Sequence, residues 1–257
     1  MRVTAVNSVS EAVAQMQEIA TALPPGDGIA AFNGMYLAVT EAVEKAISDS
    51  YFASSQFLAR LDVVFANRYF GALGSALSGS PMPRCWKALW DVRASEHRAP
   101  LQFALAGMNA HINHDLVLAL VDTLREFGGH PEAGEYRADF VRVNRLLASL
   151  EDGIRRTFET GILARLDERF RSLDALQARL ANWSIARARG VAWNDARRLW
   201  AVAGHPRLAR ELETVLDHTV AAASDCLLLP IEHHHHSPDE DLCTRQSSVL
   251  SAAARPA

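Results

Sequence analysis

Ala106-Gly107-Met108-Asn109-Ala110-His111-Ile112-Asn113-His114-Asp115-Leu116 sets two histidines, an aspartate and two asparagines in the middle of an otherwise apolar segment. From Pro100 to Leu124 nearly every other residue is Leu, Ala, Val, Phe or Met. Pro100 suits the first position of a helix and Gly128-Gly129 lie past its end, so the stretch predicts one long helix. A helix this apolar belongs in a core, where polar groups need partners. On a wheel of about 100° per residue, His111, His114 and Asp115 share one face, and Asp122 joins it two turns later. Ala104, Gly107 and Met108 continue that face toward the N-terminus, and the two small residues predict open volume beside the imidazoles. Two imidazoles and a carboxylate beside a void point to a metal site.

Outward from this segment the chain reads as helix after helix. Ser8-Val9-Ser10-Glu11 is a capping-box pattern opening a first helix, which Pro24-Pro25-Gly26-Asp27-Gly28 closes. A second helix runs from Ile29 to Ile47 with Phe32, Met35, Tyr36, Val39 and Val43 inward, and a third from Ser54 to Ala76. A short fourth carries Trp86 and Trp90, and the His/Asp helix is the fifth. The sixth covers Glu135 to Ser149, with a continuation to Phe170 left open. A seventh, capped by Ser172, carries Trp183, Trp193 and Trp200 and is interrupted or kinked near Gly190; an eighth runs from Pro206 to near Leu229. Alternating apolar and polar residues are scarce, so no sheet is expected. The reading is an all-α, single-domain bundle of about eight helices over residues 1–230 with a buried metal-binding core.

A chain of 257 residues, 49% hydrophobic, is long enough for one sizeable core. A net charge of −4 and a pI near 6.2, with Lys and Arg not gathered into a stripe, argue against a nucleic-acid partner. No secretory signal opens the chain, and no apolar run reaches the length of a membrane span. Cys85, Cys226 and Cys243 form no Cys-x-x-Cys pair, which fits a reduced, cytoplasmic protein. Residues 231–257 differ in kind: His233 to His236, an acidic run, then Ser- and Ala-rich sequence predict a disordered tail. Its four histidines bind metals only adventitiously without a rigid scaffold.

Two further carboxylates fall on apolar helix faces. Asp62 shares its face with Leu58, Phe65, Ala66 and Tyr69, and Asp139 with Tyr136, Val143, Leu146 and Leu150. A buried carboxylate either neutralises, meets a cation or binds a metal. Facing helices with inward carboxylates and histidines are how bundles build di-metal sites. The plainer alternatives are that the histidines are hydrogen-bonded core residues and that Asp62 and Asp139 pair with arginines such as Arg98, Arg142 or Arg187. Asn109, Asn113 and Gln102 lie on the opposite face of the central helix, where interhelical hydrogen bonding is their expected role. Trp183, Trp193, Trp200, Tyr36 and Tyr69 read as core or pocket lining. No phosphate loop, nucleophile elbow or dinucleotide fingerprint is present.

The segments Asp27-Gly28 before Phe32 and Tyr36, Leu61-Asp62-Val63, Phe65-Ala66-Asn67-Arg68-Tyr69 and Ala106 to Leu116 together resemble an actinobacterial domain-of-unknown-function family. Ala138-Asp139-Phe140, Val143-Asn144 and Ala192-Trp193 also fit, so the resemblance spans most of residues 25–200. It implies a nonheme diiron monooxygenase of the platensimycin and platencin type, hydroxylating a terpenoid acyl thioester in secondary metabolism. Two irons per chain and an external electron donor are implied with it. The helical part lacks the Glu-x-x-His pairs of the better-known diiron bundles, so the ligand set would be His- and Asp-based.

The expected metal ligands are therefore Asp62, His111, His114, Asp115 and Asp139. The expected pocket for a small-molecule substrate is Tyr36, Ala66, Tyr69, Ala104, Gly107 and Met108. Two rival classes remain: a His-Asp metal-dependent phosphohydrolase, in which the metal activates water, and a non-catalytic helical protein that binds an apolar ligand. Substrate identity, electron donor and oligomeric state are not legible in these residues.

Overall fold

The computed structural model describes residues 1–148 and 184–230. The expectations for Gly153, Phe170, Ser172, Trp183, Cys243 and the 231–257 tail lie outside them. Every regular element among the described residues is helical, and the helices pack into one domain.

Local chemistry sets most of the boundaries. Helix α1 (Val9–Ala22) starts where the Ser8 hydroxyl accepts from Glu11 N, while Glu11 Oε2 accepts from Asn7 N at 2.8 Å. Asp27 caps α2 (Gly28–Ser48) by accepting from Ile29 N at 2.8 Å. Helix α3 (Ser55–Ser78) stops at Gly79, whose φ of 70° is left-handed. Helix α4 (Arg84–Val92) follows Pro83. Helix α5 (Pro100–Ala110) has Pro100 at its first position and passes through a π-turn, His111–Asp115, into α6 (Leu116–Glu126). Helix α7 is described over 134–148, followed by α8 (Ile185–Ala201) and α9 (Pro206–Leu227).

The continuous rod α5–π-turn–α6 is the axis of the bundle. Helix α5 lies against α2 and α9, and α6 against α3 and α8. From Leu101 to Ala110 every residue of α5 is buried, as its composition predicts. The polar residues opposite the histidines bond across helices: Gln102 Nε2 donates to the carbonyls of Leu227 and Leu229, and Asn109 Nδ2 to Val220 O and Ser224 Oγ.

Two expectations need correction. Helix α8 runs through Gly190 without a break. One helical glycine costs only about 1 kcal/mol relative to alanine, and Ile185, Arg189, Trp193 and Leu199 bury this helix along its length. Asp122 does not join the histidine face. It is exposed and pairs with Arg68. The π-turn adds a residue to one turn, which rotates everything beyond it by roughly 100° from an unbroken wheel.

Candidate metal centre

Asp115 is the node of the site. Its Oδ2 lies 3.0 Å from His111 Nδ1 and accepts from Trp86 Nε1 at 2.9 Å, and its Oδ1 lies 2.8 Å from His114 Nδ1. All three side chains around this carboxylate come from the π-turn or from α4. Burial alone would raise the Asp115 pKa, but the hydrogen bonds and charges of His111 and His114 outweigh it and hold the carboxyl at about 2. An ionised carboxylate accepts only, so both imidazoles present Nδ1–H to it. That fixes the tautomer and, in a neutral ring, leaves Nε2 as a lone pair. A carboxylate holding the far nitrogen of a metal-binding histidine is a recurrent outer-shell arrangement. Asp115 thus orients both histidines.

The two histidines serve different surroundings. The His111 ring stacks on Phe65 at 3.5 Å between centroids, with the Tyr36 ring edge-on at 4.3 Å and Phe32 at 5.6 Å. Its Nε2 is enclosed and has no hydrogen-bond partner. Burial lowers the His111 pKa, Asp115 opposes that and His114 adds to it, so burial favours the neutral ring. Tyr36 Oη and Asp62 Oδ2 are also enclosed without hydrogen-bond partners. Burial, reinforced by the charge of Asp62, raises the Tyr36 pKa and keeps the phenol protonated.

Asp62 as a residue is half-buried, yet burial of its carboxyl raises the pKa to about 7, against the opposing charge of Arg189. Arg189 is buried on α8, where its Nε donates to Asn144 Oδ1 and its Nη2 to Phe140 O. The cation whose charge acts on Asp62 is therefore that of Arg189, whose own hydrogen bonds go to Asn144 and Phe140.

Asp139 is engaged elsewhere. Its Oδ2 accepts from Ser54 N at the start of α3, where the Ser54 side chain makes no cap of its own, and its Oδ1 accepts from Arg142 at 3.2 Å. It caps one helix from another.

The expected pocket residues Tyr36, Ala66, Tyr69, Ala104 and Met108 are all buried. Tyr69 Oη donates to Asn33 Oδ1, which leaves Tyr36 as the phenol without a partner. The volume beside Gly107 is not open. A Cβ placed there would meet the Phe32 ring at 2.5 Å, so the glycine lets Phe32 lie against the helix.

His114 faces a group that the sequence did not single out. Its ring, the Cys85 thiol and the Asp217 carboxylate bring ligand atoms within 4.8 Å of one another. Asp217 accepts from Cys85 N at 2.9 Å and Arg84 N at 3.0 Å, capping α4, whose N-cap residue Pro83 makes no side-chain cap bond. Burial, then the charges of Asp115 and Asp217, push the Cys85 thiol up. Burial would raise Asp217, but its bonds to Cys85 and Arg84 pull it below the usual carboxylate range. The one signal in sequence was Pro83 at a helix start with no capping side chain.

No helix among the described residues is long and apolar enough to cross a membrane. No curated protein and no solved structure matches the chain. A family of unknown function, DUF5995, matches over residues 9–230, and the chain belongs to it.

Proposed function

We propose that the chain is a nonheme iron monooxygenase acting on an apolar small molecule. The observation that carries this reading is His111, with its Nδ1 fixed on Asp115, its Nε2 enclosed without a partner and its ring walled by Phe65, Tyr36 and Phe32. A buried imidazole lone pair without a partner suits iron, and Asp62 Oδ2 and Tyr36 Oη are two further enclosed oxygens without partners. His111 and Asp62 would hold the metal. Bound there, iron supplies the oxygen chemistry, with electrons from an external donor.

The chain's own residues do the rest. Asp115 keeps the Nδ1 proton on each imidazole, so that Nε2 faces outward. The aromatic wall excludes water from the reacting centre. The terpenoid acyl thioester class follows from the family resemblance and is proposed on that ground.

Elemental analysis of the full chain, with His233 to His236 replaced by alanine and expressed in iron-supplemented medium, tests this. The expected result is about one iron per chain, lost in a His111→Ala variant of unchanged helicity, together with substrate-dependent oxygen uptake. Zinc or manganese with phosphoesterase turnover would replace the oxygenase by the hydrolase. No bound metal would sink both enzyme readings and leave the His111 cluster structural.

A further inference from the structure

The opposite pole of the Asp115 node holds a second and chemically different donor set. Cys85, His114 and Asp217 belong to α4, the π-turn and α9, so their ligand atoms converge within 4.8 Å through tertiary packing rather than local spacing. Cys85 and His114 are buried and Asp217 is half-buried. Each is held in place. Asp217 is fixed by the two backbone N–H groups that open α4, and His114 by its Nδ1 on Asp115. Every donor keeps something to give: His114 retains Nε2, each Asp217 oxygen retains a second lone pair, and Cys85 is a free thiol.

We propose that Cys85, His114 and Asp217 bind a zinc-class divalent cation through thiolate, imidazole and carboxylate. Sulfur with nitrogen selects borderline ions over magnesium or calcium. Ligand atoms around tetrahedral zinc lie about 3.5 Å apart, so closing the cluster by roughly 1 Å is sufficient. The thiol proton leaves as the metal enters. Three protein ligands leave a fourth position for water or substrate, which is the composition of a catalytic rather than a structural zinc site. The site uses neither His111 nor Asp62, and it stands whether or not the oxygenase reading does.

Cobalt is the probe. Co²⁺ is titrated into the metal-free full chain carrying alanine at 233–236, and the thiolate-to-cobalt charge-transfer band in the near ultraviolet is followed. The band should saturate at about one cobalt per chain, vanish in Cys85→Ser and in Cys85→Ala, and persist in His111→Ala. His114→Ala and Asp217→Asn should each weaken binding at least about tenfold. Zinc should displace the cobalt and shield Cys85 from thiol reagents in the wild-type chain, a readout that needs no variant to fold. A band that survives in the Cys85 variants, or a Cys85 thiol equally reactive with and without zinc, would overturn the assignment.

Discussion

Trp86 donates its indole N–H to Asp115 Oδ2 at 2.9 Å, and this bond ties α4 to the turn that carries both histidines. Trp86 is almost fully buried, and its ring also lies edge-on to Phe32 at 5.1 Å. Trp86→Phe keeps an aromatic ring and removes one of the three donors around Asp115. The expected loss is about 1–3 kcal/mol, seen as a lower urea midpoint with unchanged slope. An unchanged midpoint would show that the bond holds nothing in place.

Asp115 and Asp62 give opposite pH dependences in the metal-free protein. The Asp115 carboxyl sits at about 2 against an ordinary 3.8, so its stabilisation is complete above about pH 4 and is lost as pH falls through about 2. Asp62 sits at about 7, raised by burial, so the folded state holds its proton more tightly than the unfolded chain does. Its contribution is most favourable below about pH 4 and declines as pH rises through about 7. Denaturation of the wild-type chain from about pH 5 to about pH 8 should show that decline, and Asp62→Asn should flatten it. An equally steep decline in the variant would mean that Asp62 is not the titrating group.

Two glycines should respond to alanine with opposite signs. At Gly107 the new Cβ meets Phe32, whose ring is fully buried and hemmed by Tyr36, Tyr69, Trp86 and His111. Gly107→Ala should cost about 1–3 kcal/mol through overpacking. At Gly71, exposed within α3, a Cβ meets nothing within 4 Å, and Gly71→Ala should gain about 0.5–1 kcal/mol. Thermal melts of the pair check both, and a harmless Gly107→Ala would mean that Phe32 has room to move.

Asp139 separates capping from metal binding. Asp139→Ala removes the acceptor for Ser54 N and should lower stability by about 1–2 kcal/mol. Metal content should not change, because neither proposed metal site uses Asp139, which Ser54 and Arg142 engage instead. A fall in bound metal, measured on protein that remains folded, would make Asp139 a ligand after all.

Helix starts were readable because a cap is a local event: Ser8 with Glu11 and Pro100 at a first position each act within a few residues. The central helix was readable from its composition, and its buried asparagines and Gln102 had to find partners across helices. The wheel failed at Asp122, because a π-turn leaves no plain mark in sequence and shifts the phase of all that follows. Gly107 was misread as a void, since a missing side chain shows only that something comes close. Which ring fills the place depends on how α2 docks on α5.

The sequence by itself determined an all-helical chain, the burial of the His111 to Asp115 turn and the need of its polar groups for partners. Periodicity and capping are short-range, and desolvation costs fall on any polar group in an apolar helix wherever that helix lies. Only the tertiary structure decided that Trp86 joins the two histidines on Asp115, that Asp139 caps α3 and that the charge of Arg189 acts on Asp62. It alone brought Asp217 to Cys85, 132 residues away in the chain. Those pairings depend on the rotation and offset of packed helices, which side chains from several elements fix together and which no single stretch encodes.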